Sequence, residues 1–102
     1  MGIVTLRYWA AAKEAAGIAE EAVSAGTLAE ALAAALAAAT GDGGSGRADQ
    51  RNEREARNAR LRAILVRSSF LVDGNPVGTR APEAVVLGDG SVVEVLPPFA
   101  GG

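Results

Sequence analysis

Cysteine and histidine are both absent from the chain of 102 residues. Without cysteine the chain has no disulfide and no thiol nucleophile, and without either residue type it has no Cys/His zinc site. The absence of histidine also removes the side chain that most often serves as a general base near neutral pH. Most mechanisms in which a small protein catalyses a reaction with its own side chains are therefore excluded.

Long hydrophobic runs and a large excess of one charge are also missing. The longest apolar stretch, residues 28–39, is mostly alanine, contains Glu30 and is shorter than the roughly 20 residues that span a bilayer. The segment at residues 1–4 has no basic region, so we expect no signal peptide. The net charge of −2 gives no argument for a nucleic-acid partner of the whole chain. We predict a soluble, cytoplasmic protein without a membrane or nucleic-acid partner.

Carboxylates at the spacing of a metal site are missing as well. Asp73 and Asp89 each lie beside glycine in short polar segments, which is typical of turn residues. No pair of carboxylates has the arrangement that a cation or a glycosidase mechanism needs. The sequence therefore predicts no bound metal.

The first part of the chain predicts a strand, a short helix and a second strand. In residues 3–9 apolar residues alternate with polar ones, which is the period of a strand with one buried face. Residues 10–16 are strong helix formers, and Gly17 stands where a left-handed helix C-cap falls. Residues 18–25 predict a second strand from a weaker pattern.

The clearest helix begins at Thr27. Thr27 and Glu30 have the spacing of a capping box, in which each side chain accepts a hydrogen bond from the other residue's free backbone N–H. Three leucines follow at i, i+4 and i+8 and predict one narrow apolar stripe on an alanine helix: Leu28, Leu32 and Leu36. Gly41 is predicted to end this helix.

A polar, charged segment occupies the middle of the chain. Residues 41–46 consist mostly of glycine, serine and aspartate and predict a flexible loop. Residues 47–62 are rich in arginine, with Asp49, Glu53 and Glu55 among them, and predict a solvated, partly helical segment. A nucleic-acid-binding patch is an alternative, but the arginines lack interleaved aromatic residues and are mixed with acids. We interpret residues 41–60 as a charged insertion.

The last third of the chain predicts strands and turns. Residues 63–72 predict a pair of strands or one bent strand, and residues 73–76 and 88–90 predict turns. Residues 85–87 are a candidate strand, and residues 91–96 alternate as a final strand. The whole chain, residues 1–102, is predicted to be a single α+β domain with helices packed on one face of its sheet.

The most informative segment is the tail Pro97-Pro98-Phe99-Ala100-Gly101-Gly102. The two prolines lack a backbone N–H and fix φ, so they stop the sheet and favour an extended exit. The last three residues have little or no side chain, and the glycine carboxylate is unhindered. A frayed end explains two terminal glycines equally well when they stand alone. Their position directly after a last strand and two prolines favours a thin, mobile tail whose carboxylate is activated by another protein.

These segments give the chain a resemblance to a known family. With its opening strand, its Thr27 helix, Gly88-Asp89-Gly90 and its Pro-Pro-Phe-Ala-Gly-Gly ending, the chain resembles the small subunit of molybdopterin synthase in the MoaD/ThiS family of ubiquitin-like sulfur carriers. The resemblance implies a β-grasp fold with a mixed sheet. The Pro-Pro pair resembles the molybdopterin branch rather than the thiazole branch, whereas residues 41–60 depart from the compact family form.

The resemblance also implies a carrier role without catalytic side chains. A ubiquitin-activating-enzyme-like (MoeB-like) adenylyltransferase would use ATP and Mg to adenylate Gly102, and a sulfur donor would convert the adenylate to a thiocarboxylate. The tail would then enter the large (MoaE-like) synthase subunit, where the sulfur attacks the pyranopterin precursor. The carrier itself would hold no cofactor. The residues implied are Gly102 as the reactive terminus, Gly101 and Ala100 for passage, and Pro97, Pro98 and Phe99 for partner binding.

The same residues are compatible with other functions. The chain is also consistent with a sulfur carrier for thiazole, cysteine or thio-metabolite synthesis, with a ubiquitin-like protein modifier, and with an interaction domain whose tail is inert. Tyr8, Trp9 and Phe70 are interpreted as packing residues. Phe99 is instead a candidate partner anchor, because the extended tail has little core of its own for the ring to enter.

Overall fold

The computed structural model describes residues 2–39 and 48–98. This part of the chain forms five strands and three α-helices, with one short 3-10 turn at Pro82–Ala84. In chain order the elements are β1 (Gly2–Tyr8), α1 (Ala10–Ala16), β2 (Glu20–Ala25), α2 (Leu28–Ala39), α3 (Ala48–Leu65), β3 (Ser69–Val72), β4 (Asn75–Pro76) and β5 (Val92–Leu96). No helix in the described ranges is long and apolar enough to cross a membrane.

The strands form one mixed sheet in the order β2-β1-β5-β3-β4. The pair β1 and β5 is parallel, and the three other pairs are antiparallel. Alternate residues of β1 and β5 are buried on the same face: Val4, Leu6, Tyr8, Val93 and Val95. The helices cover this face, and the period-two pattern of the sequence predicted it correctly. Strand β5 therefore lies in the centre of the sheet, buried on one face and partly exposed on the other.

The caps of α1 and α2 confirm two local predictions. Gly17 has φ 78° and donates its N–H to the carbonyl of Lys13, which is a left-handed C-cap. At the start of α2 the hydroxyl of Thr27 accepts the N–H of Glu30 at 3.2 Å. The Glu30 carboxylate reaches back one residue further than a capping box requires, to the N–H of Gly26 at 2.7 Å. The predicted end of α2 at Gly41 lies outside the described residues.

Helix α2 is buried along a face that differs from the leucine stripe. Leu28, Ala31 and Ala35 are almost fully buried, whereas Leu32 and Leu36 are only partly buried at the margins of this face. The alanines have short side chains, so the helix lies close to the sheet, and the flanking leucines fill the sides. The predicted stripe was therefore correct at Leu28 and wrong about which residues form the centre of the contact.

Helix α3 corrects the prediction for residues 63–72. Residues 63–65 continue the helix instead of forming a strand, and only Ser69–Val72 is extended. Leu61 and Leu65 stand one turn apart and are both buried in the core. Asn58 donates to the carbonyl of Leu36 at 2.8 Å and connects the helix to α2. The charged segment is thus continuous with a core helix.

The turns around the sheet are mostly as predicted. Asp73 and Gly74 have φ 50° and 84° and join β3 to β4 as a two-residue turn with both central φ values positive, which Asp-Gly favours. The prediction of a strand at residues 85–87 was wrong. Only Val86 is paired, in an isolated β-bridge with Thr27. Phe70 of β3 is partly buried against the core, in line with its predicted packing role.

Candidate functional site: the exit of the C-terminal tail

The C-terminal tail leaves the sheet at the end of its central strand. Strand β5 runs parallel to β1, with Tyr8 opposite Val95, so both strands end at the same edge. Pro97 is buried and Pro98 is exposed, so the chain comes to the surface between the two prolines. The remaining predicted site residues lie outside the described residues: Phe99, Ala100, Gly101 and Gly102. The described part of the site is therefore the platform from which the tail departs.

Trp9 lies beside this exit. Its backbone N–H donates to the carbonyl of Val95 at 3.3 Å, and its indole Nε1 donates to Oε1 of Glu94 at 3.2 Å. The side chain is nonetheless 44% exposed. Tyr8 is buried as predicted, but Trp9 lies at the surface with its ring held next to the departing tail. Exposed aromatic residues beside a polar partner are frequent at protein interfaces.

The open face of the sheet adjoins the same exit. Arg7 stands in register with Glu20 on β2 and with Glu94 on β5, which gives a charged row across three strands. Arg7 Nε lies 3.4 Å from Glu20 Oε2 in an exposed pair, and such pairs contribute little stability. Ile3 is 54% exposed further along β1. The face therefore combines apolar and charged groups, and none of the helices that the structure describes covers it.

Two aspartates fix the beginning of β5. Asp89 Oδ1 accepts the N–H of Ile3 at 2.8 Å, and Asp73 Oδ1 accepts the N–H of Val92 at 2.9 Å. A Cβ on Gly2 would lie 2.5 Å from the Cα of Asp89, so only glycine allows this approach. Both aspartates are turn residues, as predicted, but their long-range bonds were not visible in the sequence. They anchor the start of β5, the end of the strand opposite the tail exit, to β1 and β3.

The last residue of β1 is a buried tyrosine. The hydroxyl of Tyr8 donates to Glu21 Oε2 at 2.5 Å, and only 2% of the tyrosine is exposed. Burial raises the pKa of Tyr8 strongly, and the hydrogen bond and negative charge of Glu21 raise the pKa further. The phenol therefore stays protonated at neutral pH and acts as a structural hydrogen-bond donor. The described residues contain no cluster of acidic side chains that could hold a metal ion.

Comparison with known proteins gives structural matches only. No family model matches the chain, and no curated protein matches it. Among solved structures, the small archaeal modifier protein 1 of Methanosarcina acetivorans is 18% identical with a TM-score of 0.66, and the match covers 100% of this chain and 98% of that one. A putative molybdopterin converting factor subunit 1 of Pyrococcus furiosus is 18% identical with a TM-score of 0.61, covering 97% and 100%.

A third solved structure contains two subunits. Subunit 1 of the molybdopterin-converting factor of Helicobacter pylori, in a complex with subunit 2, is 22% identical with a TM-score of 0.56, and the match covers 98% of this chain and 99% of that one. At these identities the matches show a common fold. They confirm the predicted ubiquitin-like β-grasp, with its mixed sheet and helices on one face.

Proposed function

We propose that this protein is a sulfur carrier for molybdopterin biosynthesis that bears a thiocarboxylate on Gly102. The observation that carries the proposal is a tail of Pro-Pro-Phe-Ala-Gly-Gly directly after the central strand of a β-grasp sheet. Subunit 1 of a molybdopterin converting factor has the same fold. The absence of histidine and cysteine supports a carrier role, because the chain then lacks the side chains that most often act as a base or carry sulfur. In the proposal, partner proteins supply these groups.

The proposed cycle assigns the chemistry to partners. An adenylyltransferase resembling ubiquitin-activating enzymes joins the Gly102 carboxylate to AMP and releases pyrophosphate, using ATP and Mg. A sulfur donor displaces AMP and leaves the thiocarboxylate. In the large synthase subunit this sulfur attacks the pyranopterin precursor, and the carboxylate is regenerated. A thiocarboxylate is ionised at neutral pH, so it acts as a nucleophile without a neighbouring base.

Each residue of the tail has a role in this proposal. Gly101 and Ala100 let the terminus pass through a narrow channel, because they have the two smallest side chains. Phe99 is the large apolar side chain available to a partner pocket. Pro98, exposed at the exit, contacts the partner, whereas the buried Pro97 sets the direction in which the tail leaves. Trp9 and the open sheet face extend the partner surface from the tail onto the folded domain.

A second candidate is a ubiquitin-like modifier that joins its C-terminus to amines of other proteins. The specific observation in its favour is that solved small archaeal modifier proteins share the fold, with TM-scores of 0.66 and 0.64. Both candidates begin with the same adenylate on Gly102. They differ in the group that attacks the acyl-adenylate. It is the sulfur donor for a sulfur carrier and an amine of another protein for a modifier.

The test is intact-protein mass spectrometry after incubation with the cognate activating enzyme, ATP, Mg and a sulfur donor. We expect one carboxylate oxygen to be replaced by sulfur, and fragmentation to place the exchange on Gly102. A chain lacking Gly102 is the matched control and should remain unmodified. Addition of the large synthase subunit and the pyranopterin precursor should consume the sulfur. A thiocarboxylate that this subunit leaves untouched would contradict the molybdopterin assignment, and no exchange at all would contradict carriage of sulfur.

A further inference from the structure

We propose that Lys13 is the one side chain of this protein that accepts its own activated C-terminus, through an isopeptide bond between the Gly102 carbonyl and the Lys13 amine. This inference rests on the proposed function in one respect, since Gly102 must be activated first. It goes beyond that function by assigning an acceptor site on the carrier itself.

The composition leaves one side-chain amine in the chain. Lysine and arginine together number 10, and Lys13 is the only lysine among them. Arginine remains protonated and is not acylated under these conditions, so it cannot replace lysine as a nucleophile. The α-amine at Met1 is the only other primary amine of the printed chain. Any self-acylated product linked to a side chain by an amide bond must therefore be linked through Lys13.

Lys13 is exposed on the outer side of α1. The inner side of the helix is formed by Ala12, Ala15 and Ala16, which are buried in the core. Among the residues that the structure describes, the Lys13 side chain has no hydrogen-bond or ion-pair partner. No hydrogen bond or ion pair within those residues has to be broken before the amine reacts.

The surroundings of Lys13 suit an extended apolar tail. Lys13 lines a surface groove with Trp9 and Ile18, which are 44% and 46% exposed. Gly17 and Ala19 also line this groove and leave it open, because their side chains are small. A tail whose one large side chain is Phe99 can place that ring against Trp9 and Ile18 while its small final residues lie next to the amine.

The covalent step balances without a redox partner. ATP and the activating enzyme convert the Gly102 carboxylate to an acyl-adenylate and release pyrophosphate. The neutral amine of Lys13 attacks the acyl carbon, the new C–N bond forms, and the C–O bond to AMP breaks. AMP leaves with the electron pair, and the amine loses its proton to solvent. The net change in protein mass is the loss of one water.

The donor tail can come from a second copy or from the same molecule. The backbone N–H of Lys13 donates to the carbonyl of Trp9 at 3.3 Å, so Lys13 lies one helical turn beyond the tail exit. Residues 96–102 span at most about 24 Å when extended, at roughly 3.4 Å per residue, which is enough to return to α1. A tail from a second copy gives a covalent dimer that is one water lighter than two chains. A tail from the same molecule gives a monomer that is one water lighter than the free chain.

The experiment uses the full chain, the cognate activating enzyme, ATP and Mg, without a sulfur donor. Pyrophosphate release reports activation, and intact mass reports self-acylation. We expect a water-loss product whose tryptic digest contains residues 8–47, uncut at Lys13, joined to residues 81–102. Lys13→Arg should reduce this product at least tenfold and leave pyrophosphate release unchanged. Adding Arg60→Lys, an exposed position on α3 outside the groove, to Lys13→Arg should not restore it.

The opposite results overturn the inference. They are persistence of the product in Lys13→Arg, full restoration by Arg60→Lys, or normal pyrophosphate release by the native chain without any water-loss product. A full chain carrying a synthetic C-terminal thioester tests Lys13 without the activating enzyme. Hydrolysis alone in that sample contradicts the inference and leaves the proposed function intact. Amide formation at Lys13 in that sample, combined with no pyrophosphate release by the enzyme, supports the inference and contradicts the proposed function.

Discussion

The indole of Trp9 reaches across the sheet to Glu94, 85 residues away in the sequence, and donates a hydrogen bond of 3.2 Å. The bond holds an exposed aromatic ring against the strand that delivers the C-terminal tail. A free tryptophan at the surface would sample several rotamers, and ordering it on binding would oppose association. The pair with Glu94 therefore lowers the entropic cost of ordering the ring in the partner complex that we propose.

Replacement of Trp9 tests this role. We expect Trp9→Ala to weaken binding of the activating enzyme or the large synthase subunit by about 2 kcal/mol, roughly 30-fold, as for a central aromatic anchor. Thermal stability should change little, because the side chain is 44% exposed. Titration calorimetry and a melting curve measure the two effects. Val86→Ala is the matched control, since Val86 is 79% exposed and lies near the start of β1, at the other end of the sheet. Equal losses for both variants would contradict a specific role of Trp9.

Phe99 is expected to act with Trp9 on the same partner. Phe99→Ala should weaken the same complex by about 1–3 kcal/mol if the ring fills a partner pocket. The melting temperature should remain within a few degrees, since chain ends commonly add little to stability. Binding and melting of Phe99→Ala and Phe99→Leu give the comparison, with leucine expected to retain part of the affinity. A large fall in melting temperature with unchanged affinity would place Phe99 in the core instead.

The polar segment that precedes α3 in the sequence should be removable. Deletion of residues 43–52 takes away the polar segment and the first residues of α3 but leaves Leu61 and Leu65 in place. The free energy of loop closure changes by only about 0.6 kcal/mol for each doubling of loop length, so the shortened chain should still fold. A cooperative thermal transition is the expected result. A broad, non-cooperative transition would mean that the removed residues are part of the folded core.

The stability of the protein should depend on Leu61 much more than on residues 43–52. The side chain is fully buried on a helix that packs against α1 and α2, so Leu61→Ala should lower the free energy of unfolding by about 2–5 kcal/mol. Domains of this size are stable by about 5–15 kcal/mol, so the loss is a large fraction of the total. Urea unfolding measures it, with Arg62→Ala, an exposed neighbour on the same helix, as the control. A loss below 1 kcal/mol would show that α3 contributes little to the core.

The sequence predicted those features that depend on near neighbours. Alternation in β1 and β5, the Gly17 cap and the Asp73-Gly74 turn each follow from a few adjacent residues. The core face of α3 was missed because Leu61 and Leu65 are separated by mostly charged or small residues, and the apolar run at residues 63–72 resembled a strand. Ser68 ends the helix by donating to the carbonyl of Ile64 at 2.7 Å, and that change of structure inside an apolar run has no strong sequence signal.

The candidate site also has a part that the sequence predicted and a part that it did not. The tail and its prolines were readable from the sequence because their chemistry lies in consecutive residues. The bond from Ile3 to Asp89 and the contact between Trp9 and Glu94 join residues about 85 positions apart, and only the pairing of β1 with β5 brings them together. No local sequence pattern predicts either contact. The platform of the tail was therefore found only in the three-dimensional structure.

The position of the terminal carboxylate is the decisive prediction for the proposed function. One residue added after Gly102 leaves every native side chain in place and moves the carboxylate by roughly 3.5 Å, the length of one extended residue. An alanine extension should abolish thiocarboxylate formation, since a displacement of even about 1 Å can cost 100-fold in a positioned reaction. Melting temperature and circular dichroism should match those of the native chain.

The readouts are the mass of the modified protein and, in cells, molybdenum-cofactor synthesis by a strain that depends on this chain. Deletion of Gly102 should have the same outcome, and removal of the extra alanine by a specific protease should restore activity. An extended chain that supports cofactor synthesis without being trimmed back to Gly102 would mean that the carboxylate is not the working group of this protein.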